Sequence, residues 1–227
     1  MITTVIFDLD DTLCDEIDFC RSGFRAAAEH IAVLSDAHSA DDVFAMLWKR
    51  FITGDCGSTF DVALTDLGIP YDDHLMGKLV EIYRTHTPTL TLPPESRATL
   101  DDLKGRYTLG LLTDGFLPTQ RLKVQALGIE HYFKAIMYTE ELGREFWKPS
   151  PRGFEVLLRR LDARPDQTVY VADNETKDFI APNRLGLLTI QLRRPSGLYR
   201  QPSPLPDAAP RVKIDRISDL GGVLARL

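Results

Sequence analysis

Two aspartates stand two residues apart at the end of a short apolar run near the amino terminus. Thr3-Thr4-Val5-Ile6-Phe7 is β-branched and aromatic after a polar start, the pattern of a buried strand, and it runs into Asp8-Leu9-Asp10-Asp11-Thr12-Leu13. Carboxylates at such a point serve either as turn formers, since Asp bonds to its own backbone, or as reacting groups. The second use is open because loops beyond the carboxyl ends of parallel strands form the ligand crevice of an α/β sheet. Three later segments supply complementary groups: Thr113-Asp114-Gly115, Lys148-Pro149, and Asp173-Asn174-Glu175 with Asp178. Taken singly, each has a plainer reading. Thr113 caps a strand end, Lys148 is a solvated surface lysine, and Asp178 caps a helix.

The elements that must position these residues are legible from periodicity. Ile17, Cys20, Phe24, Ala27, Ile31 and Leu34 make the stripe of an amphipathic helix. Val43, Leu47 and Phe51 mark a second helix, Phe60 to Leu67 a third, and Leu75, Leu79 and Ile82 a fourth. After a proline-punctuated crossing at residues 87–94, helix and strand alternate. Helices are expected at 96–104, from Pro118 to Gly128, and from Pro151 with Ser150 as N-cap; a further one, containing Pro182, should begin at about 177–179. Strands are expected at 107–112, 133–138, 168–172, 187–192 and 212–214, with a closing helix within 217–227 and a long loop at 193–210. Such alternation implies a Rossmann-like parallel sheet with helices on both faces. The expected division is an α/β core of residues 1–14 and 89–227 and an all-helical cap, residues 15–88, inserted after strand one.

Bulk composition narrows the function. With 27 Lys and Arg against 33 Asp and Glu, the formal charge of −6 argues against nucleic acid or an anionic membrane as partner. An anionic substrate would need a metal ion or placed basic residues to be accepted. There is neither a signal-peptide pattern nor an apolar run near 18 residues, so a cytoplasmic protein is expected. Cys14, Cys20 and Cys56 are odd in number and lack CxxC spacing, which suggests neither a disulfide framework nor a zinc site. His30, His38, His74, His86 and His131 show no metal-ligand spacing. Asp15, Glu16 and Asp18 read as a solvated helix start favoured by the dipole, and Arg21, Arg25, Lys49 and Arg50 as mostly solvated. Monomer and homodimer are both compatible with the chain.

The four segments, in order and over nearly the whole chain, resemble the successive motifs of the haloacid dehalogenase superfamily in its phosphatase-like branch, and the helical insertion resembles that family's C1 cap. The resemblance implies Asp8 as a nucleophile that forms an aspartyl-phosphate, and Asp10 as the general acid and base. It implies Thr113, backbone N–H groups from Asp114 onward, and Lys148 as phosphate-binding groups. Mg²⁺ would be held by the Asp8 and Asp173 carboxylates and the Asp10 carbonyl, with Asp178 paired to Lys148. Two positions depart from the pattern: Ala172 stands where many relatives have Gly, and Trp147 precedes Lys148 as core packing or a pocket wall.

The expected substrate is a small phosphorylated metabolite: a sugar phosphate, sugar-acid phosphate or nucleoside monophosphate. A phosphomutase would use the same aspartyl-phosphate, and a non-catalytic protein could have kept the fold. A carbon–halogen hydrolase fits less well, because that branch lacks the acid/base Asp and has no use for Mg²⁺.

Overall fold

The strand that delivers Asp8 is β1, Thr4–Phe7, in which all four residues are buried. A strand buried on both faces belongs inside a parallel sheet with helices above and below. The computed structural model describes residues 1–34, 37–54, 58–194, 197 and 201–227. In chain order β1 is followed by α1 (Glu16–Ala32), α2 (Ala40–Ile52), α3 (Thr59–Asp66), α4 (Asp73–Thr85), α5 (Pro94–Lys104) and β2 (Thr108–Thr113). Then come α6 (Thr119–Leu127), β3 (Ala135–Tyr138), α7 (Arg152–Leu161), β4 (Thr168–Ala172), α8 (Ile180–Leu185), β5 (Leu188–Leu192), β6 (Val212–Ile214) and α9 (Leu220–Leu224). The strands form one sheet of order β3-β2-β1-β4-β5-β6, and every neighbouring pair is parallel.

Alternate side chains of a strand face opposite ways, and β1 divides the core accordingly. Val5 and Phe7 share one apolar cluster with Leu100 and Leu103 of α5, Val124 and Leu127 of α6, and Leu220 and Leu224 of α9. Ile6 belongs to another, with Phe154, Leu157, Leu158 and Leu161 of α7 and Ala181 of α8. Each fully buried Leu, Val or Phe contributes about 1.5–3 kcal/mol. α7 has only 10 residues, shorter than the roughly 12–15 an isolated helix needs; its apolar stripe, not local propensity, holds it. Gly128 ends α6 in the left-handed region, at φ 65°, as a C-cap glycine should.

The chain divides into two compact units, residues Met1–Glu16 with Leu90–Leu227, and Ile17–Thr89. The second has its own core, built from Cys20, Phe24, Ala28 and Ile31 of α1, Val43 and Leu47 of α2, Ala63 and Leu64 of α3, and Leu79 of α4. Ser39 and Asp42 form a reciprocal capping box at the start of α2, and the Asp72 carboxylate caps α4 by accepting from the Leu75 N–H. Arg21 and Arg25 are solvent-exposed as expected, and their guanidinium groups also lie over the rings of Trp48 at 4.9 Å and Phe44 at 4.2 Å.

Helix boundaries depart from expectation where prolines crowd. α7 starts at Arg152 with Pro151 in the N-cap position; Ser150 only accepts a long bond, 3.4 Å, from the Arg152 N–H. Pro118 likewise lies just before α6. α8 begins at Ile180, so Pro182 is its third residue, where no intrahelical N–H bond is lost. α1 stops at Ala32, which leaves Leu34 46% exposed instead of completing the stripe. Cys56 lies outside the described residues, as does most of 195–200 in the expected long loop.

The register explains the site. Phe7 is level with Leu111 of β2 and Val171 of β4. Asp8, Thr113 with Asp114, and Asp173 therefore emerge side by side at the carboxyl ends of three adjacent strands.

Candidate active site

Asp8 is buried at the end of β1, and Lys148 Nζ donates to its Oδ1 at 2.8 Å. The same ammonium lies 2.7 Å from Asp178 Oδ1 and donates to the Tyr170 hydroxyl oxygen at 3.1 Å. Two hydrogen bonds and one close ion pair thus hold the ammonium. The Lys148 side chain is 1% exposed, so the surface-lysine reading is wrong: the charge is buried because it is paired. Asp114 fixes the loop that carries it. Its carboxylate accepts from the Lys148 backbone N–H at 3.0 Å and the Thr139 hydroxyl at 2.7 Å. That leaves its backbone, not its side chain, for an anion.

Asp178 does not cap α8. Its Oδ2 accepts from the Asn174 N–H at 2.9 Å, and Phe179, with no side-chain cap, stands before the helix. Asp8, Asp173 and Asp178 offer carboxylate oxygens that all lie within 4.8 Å of one another. Two unit charges at 4.8 Å repel by about 3.5 kcal/mol at an effective dielectric constant near 20. Burial, partly offset by Lys148 and reinforced by Asp178, raises the Asp8 carboxyl to about 7. Burial, with the charges of Asp178 and Asp8, raises Asp173 to about 9. Lys148 moves the other way for an ammonium that is desolvated: burial lowers it, and Asp178 and Asp8 more than reverse this.

Asp173 Oδ2 is buried without a hydrogen-bond partner. A buried carboxylate oxygen left unbonded beside two further carboxylates is what a hard divalent cation would satisfy. The donor set fits such an ion. Asp8, Asp10, Asp11, Glu16, Asp114, Asp173 and Lys177 line a single small cavity there. Among the described residues, no other group of three or more His, Cys, Asp or Glu side chains gathers in this way.

Asp10 is held from α6. Lys123 Nζ donates to its Oδ1 at 2.8 Å and Gln120 Nε2 to its Oδ2 at 2.8 Å. Gln120 Nε2 also donates to Thr113 Oγ1 at 2.6 Å. Lys123 is buried and lies 3.9 Å from Glu16. Burial lowers its pKa, but Asp10 and Glu16 outweigh that and raise it. Glu16, expected to be solvated, is raised to about 7, by burial first and Asp10 second. The sequence reading missed Gln120, Lys123, Glu16 and Tyr170. A signal existed for two of them: Gln120, Lys123, Val124 and Leu127 share the buried face of α6, so polar residues occupy stripe positions.

The remaining expectations resolve simply. Trp147 packs edge-to-face on Phe116, ring centroids 5.4 Å apart. Ala172 is fully buried in the cluster of Ile6 and Phe179, where its methyl fills core. Cys14 donates to the Leu9 carbonyl, and burial pushes its thiol up, the behaviour of a small hydrophobe.

A parallel sheet of this order gathers buried carboxylates with Lys148, Lys123 and Lys177 at its carboxyl edge. The model of the haloacid dehalogenase-like hydrolase family matches residues 2–186, and the chain belongs to that family; it is an enzyme of the hydrolase type. Among its relatives, a glyceraldehyde 3-phosphate phosphatase of Methanopyrus kandleri is 33% identical, covering 100% of this chain and 99% of the relative. A ribulose-1,5-bisphosphate 5-phosphatase of Halopiger xanaduensis is 28% identical over 84% of each chain. The crystal structure of a 2-haloacid dehalogenase from Pseudomonas syringae pv. Tomato DC3000 superposes with a TM-score of 0.65, at 27% identity, covering 100% of this chain and 99% of that one.

Proposed function

We propose that the chain is a Mg²⁺-dependent phosphatase of small phosphorylated sugars that works through an aspartyl-phosphate on Asp8. The observation that carries this reading is the buried Asp8 carboxylate, bonded by Lys148 and set beside the unbonded oxygen of Asp173. In the first step an Asp8 oxygen bonds to phosphorus while the bond from phosphorus to the sugar oxygen breaks. Asp10 gives that oxygen its proton. In the second step Asp10 takes a proton from water as the water oxygen attacks the phosphorus, which releases phosphate and restores the Asp8 carboxylate.

Thr113 and the backbone N–H groups after it are assigned to the phosphoryl oxygens, and Lys148 to keeping Asp8 ionised. The Asp8 and Asp173 carboxylates and the Asp10 carbonyl would hold Mg²⁺, which would supply the positive charge that lets an anionic nucleophile approach an anionic ester. Asp10 separates this reading from carbon–halogen hydrolysis. A halide departs without a proton, whereas a sugar alkoxide needs one. A short-chain phosphorylated sugar is favoured because relatives spanning most of the chain are named for glyceraldehyde 3-phosphate and ribulose-1,5-bisphosphate. The inserted helical segment, 15–88, is assigned the choice of sugar on the ground that it interrupts the chain directly after Asp8 to Asp11.

The test is phosphate release from glyceraldehyde 3-phosphate and ribulose-1,5-bisphosphate, with nucleoside monophosphates for comparison. Activity should require Mg²⁺, cease with EDTA and be absent in folded Asp8→Asn protein. Turnover that survives in that variant would overturn the nucleophile assignment; full activity in metal-free buffer would overturn the Mg²⁺ role.

A further inference from the structure

Gln120 is 2% exposed, lies in the first turn of α6, and bridges Asp10 and Thr113, two groups that the phosphatase reading uses. A carboxylate only accepts, so the end of the amide facing Asp10 is its NH₂, and the two N–H groups serve Asp10 Oδ2 and Thr113 Oγ1. We infer that Gln120 is a positioning residue that sets Asp10 and Thr113 together for phosphoryl transfer. This rests on the phosphatase reading.

The chemistry follows from the bonds. A hydroxyl has one proton and two lone pairs. With the amide donating to Thr113 Oγ1, the Thr113 proton is left to be given. Its acceptor within the protein, the Asp114 carbonyl, is 3.5 Å away, at the limit of a hydrogen bond. Gln120 thereby leaves Thr113 as a donor for an incoming oxygen. At Asp10, Gln120 and Lys123 each take one carboxylate oxygen from positions three apart on one helix, which share a face. Two bonds from one rigid element fix the plane of the carboxylate.

A separate feature of the backbone serves the same end. Gly115 has φ 140°, and a Cβ there would come within 2.9 Å of Gln120 Cγ and Cδ. The turn after Thr113 and Asp114 admits the Gln120 side chain because residue 115 has none.

Gln120→Met keeps the length and burial of the side chain and removes both donors. With glyceraldehyde 3-phosphate or whichever sugar phosphate the wild type hydrolyses, kcat should fall about 10- to 100-fold while KM stays within about threefold, since misplacing an acid/base group costs turnover more than binding. Gln120→Glu presents an acceptor where Asp10 needs a donor and should lose more. In an Asp10→Asn background the part exerted through Asp10 drops out, so Gln120→Met should cost at least about threefold less than in wild type, the remainder acting through Thr113. A melting temperature for each variant shows that it is folded, and the Glu substitution, nearly isosteric, stands in if the Met protein does not fold. Wild-type kcat in a folded Gln120 variant overturns the inference, and so does an undiminished loss in the Asp10→Asn background. An inert wild type overturns the phosphatase reading instead, and the inference falls with it.

Discussion

Replacing Asp173 by Asn should make the metal-free protein more stable and useless. The sign comes from linkage. An ordinary Asp titrates at 3.8, and burial with Asp178 and Asp8 raises Asp173 to about 9 in the folded chain. A carboxyl raised by folding destabilises the native state progressively from pH 3.8 to about 9, because the unfolded chain gives up its proton first. Each pH unit in that window is worth about 1.4 kcal/mol, so by pH 7 the penalty reaches about 4 kcal/mol.

Asn has the same shape and no charge. At pH 7 in EDTA, Asp173→Asn should melt about 8–16 °C above wild type, at about 2–4 °C per kcal/mol for a chain of this size. The gain should shrink towards zero near pH 4, where the wild-type carboxyl is protonated in both states. Mg²⁺ should raise the melting temperature of wild type, by mass action on the folded state, and not that of the variant. Differential scanning calorimetry across pH 4–8, with and without Mg²⁺, reads all three. An Asn variant no more stable than wild type in EDTA at pH 7 would refute the account of an uncompensated carboxylate cluster.

Two further outcomes are expected. Asp10→Asn should slow turnover of sugar phosphates by about 10²- to 10⁴-fold, and quenched reactions with a labelled, good-leaving-group ester should trap phosphate on Asp8; unchanged rates would remove Asp10 as the acid and base. Lys123→Met leaves Asp10 and Glu16 without their buried cation and should cost about 3 kcal/mol of stability by urea titration, while Lys123→Arg should restore most of it; a neutral Met variant would mean that water already compensates the pair.

The legible parts of this fold were those governed by local pattern. Strands such as Val169-Tyr170-Val171 are short and apolar because both faces are covered, and α7 declares itself through Phe154, Leu157, Leu158 and Leu161. Four carboxylate and lysine segments were readable as a set because chain order survives into the parallel sheet. What escaped depends on separation in sequence. The partners of Asp10 lie 113 residues away in Lys123 and 110 away in Gln120, too far along the chain for local pattern to pair them. Tyr170 read as strand filler, since nothing local announces that its hydroxyl reaches Lys148. Glu16 looked like a solvated helix start until the loop turning at Asp11, in the left-handed region at φ 51°, brought it against Lys123. The starts of α7 and α8 were misread by a residue or more because neighbouring prolines suit several positions of a first turn.

The enclosure of Lys148 bears on selectivity. Its ammonium donates to Asp8 and Tyr170 and is ion-paired with Asp178, and its side chain is 1% exposed. On the phosphatase reading, a cation so enclosed acts on a dianion chiefly through its field, with little regard to shape. If that reading holds, discrimination between one phosphorylated molecule and another falls to side chains that touch the carbon skeleton, while the lysine sets the sign of charge that is welcome.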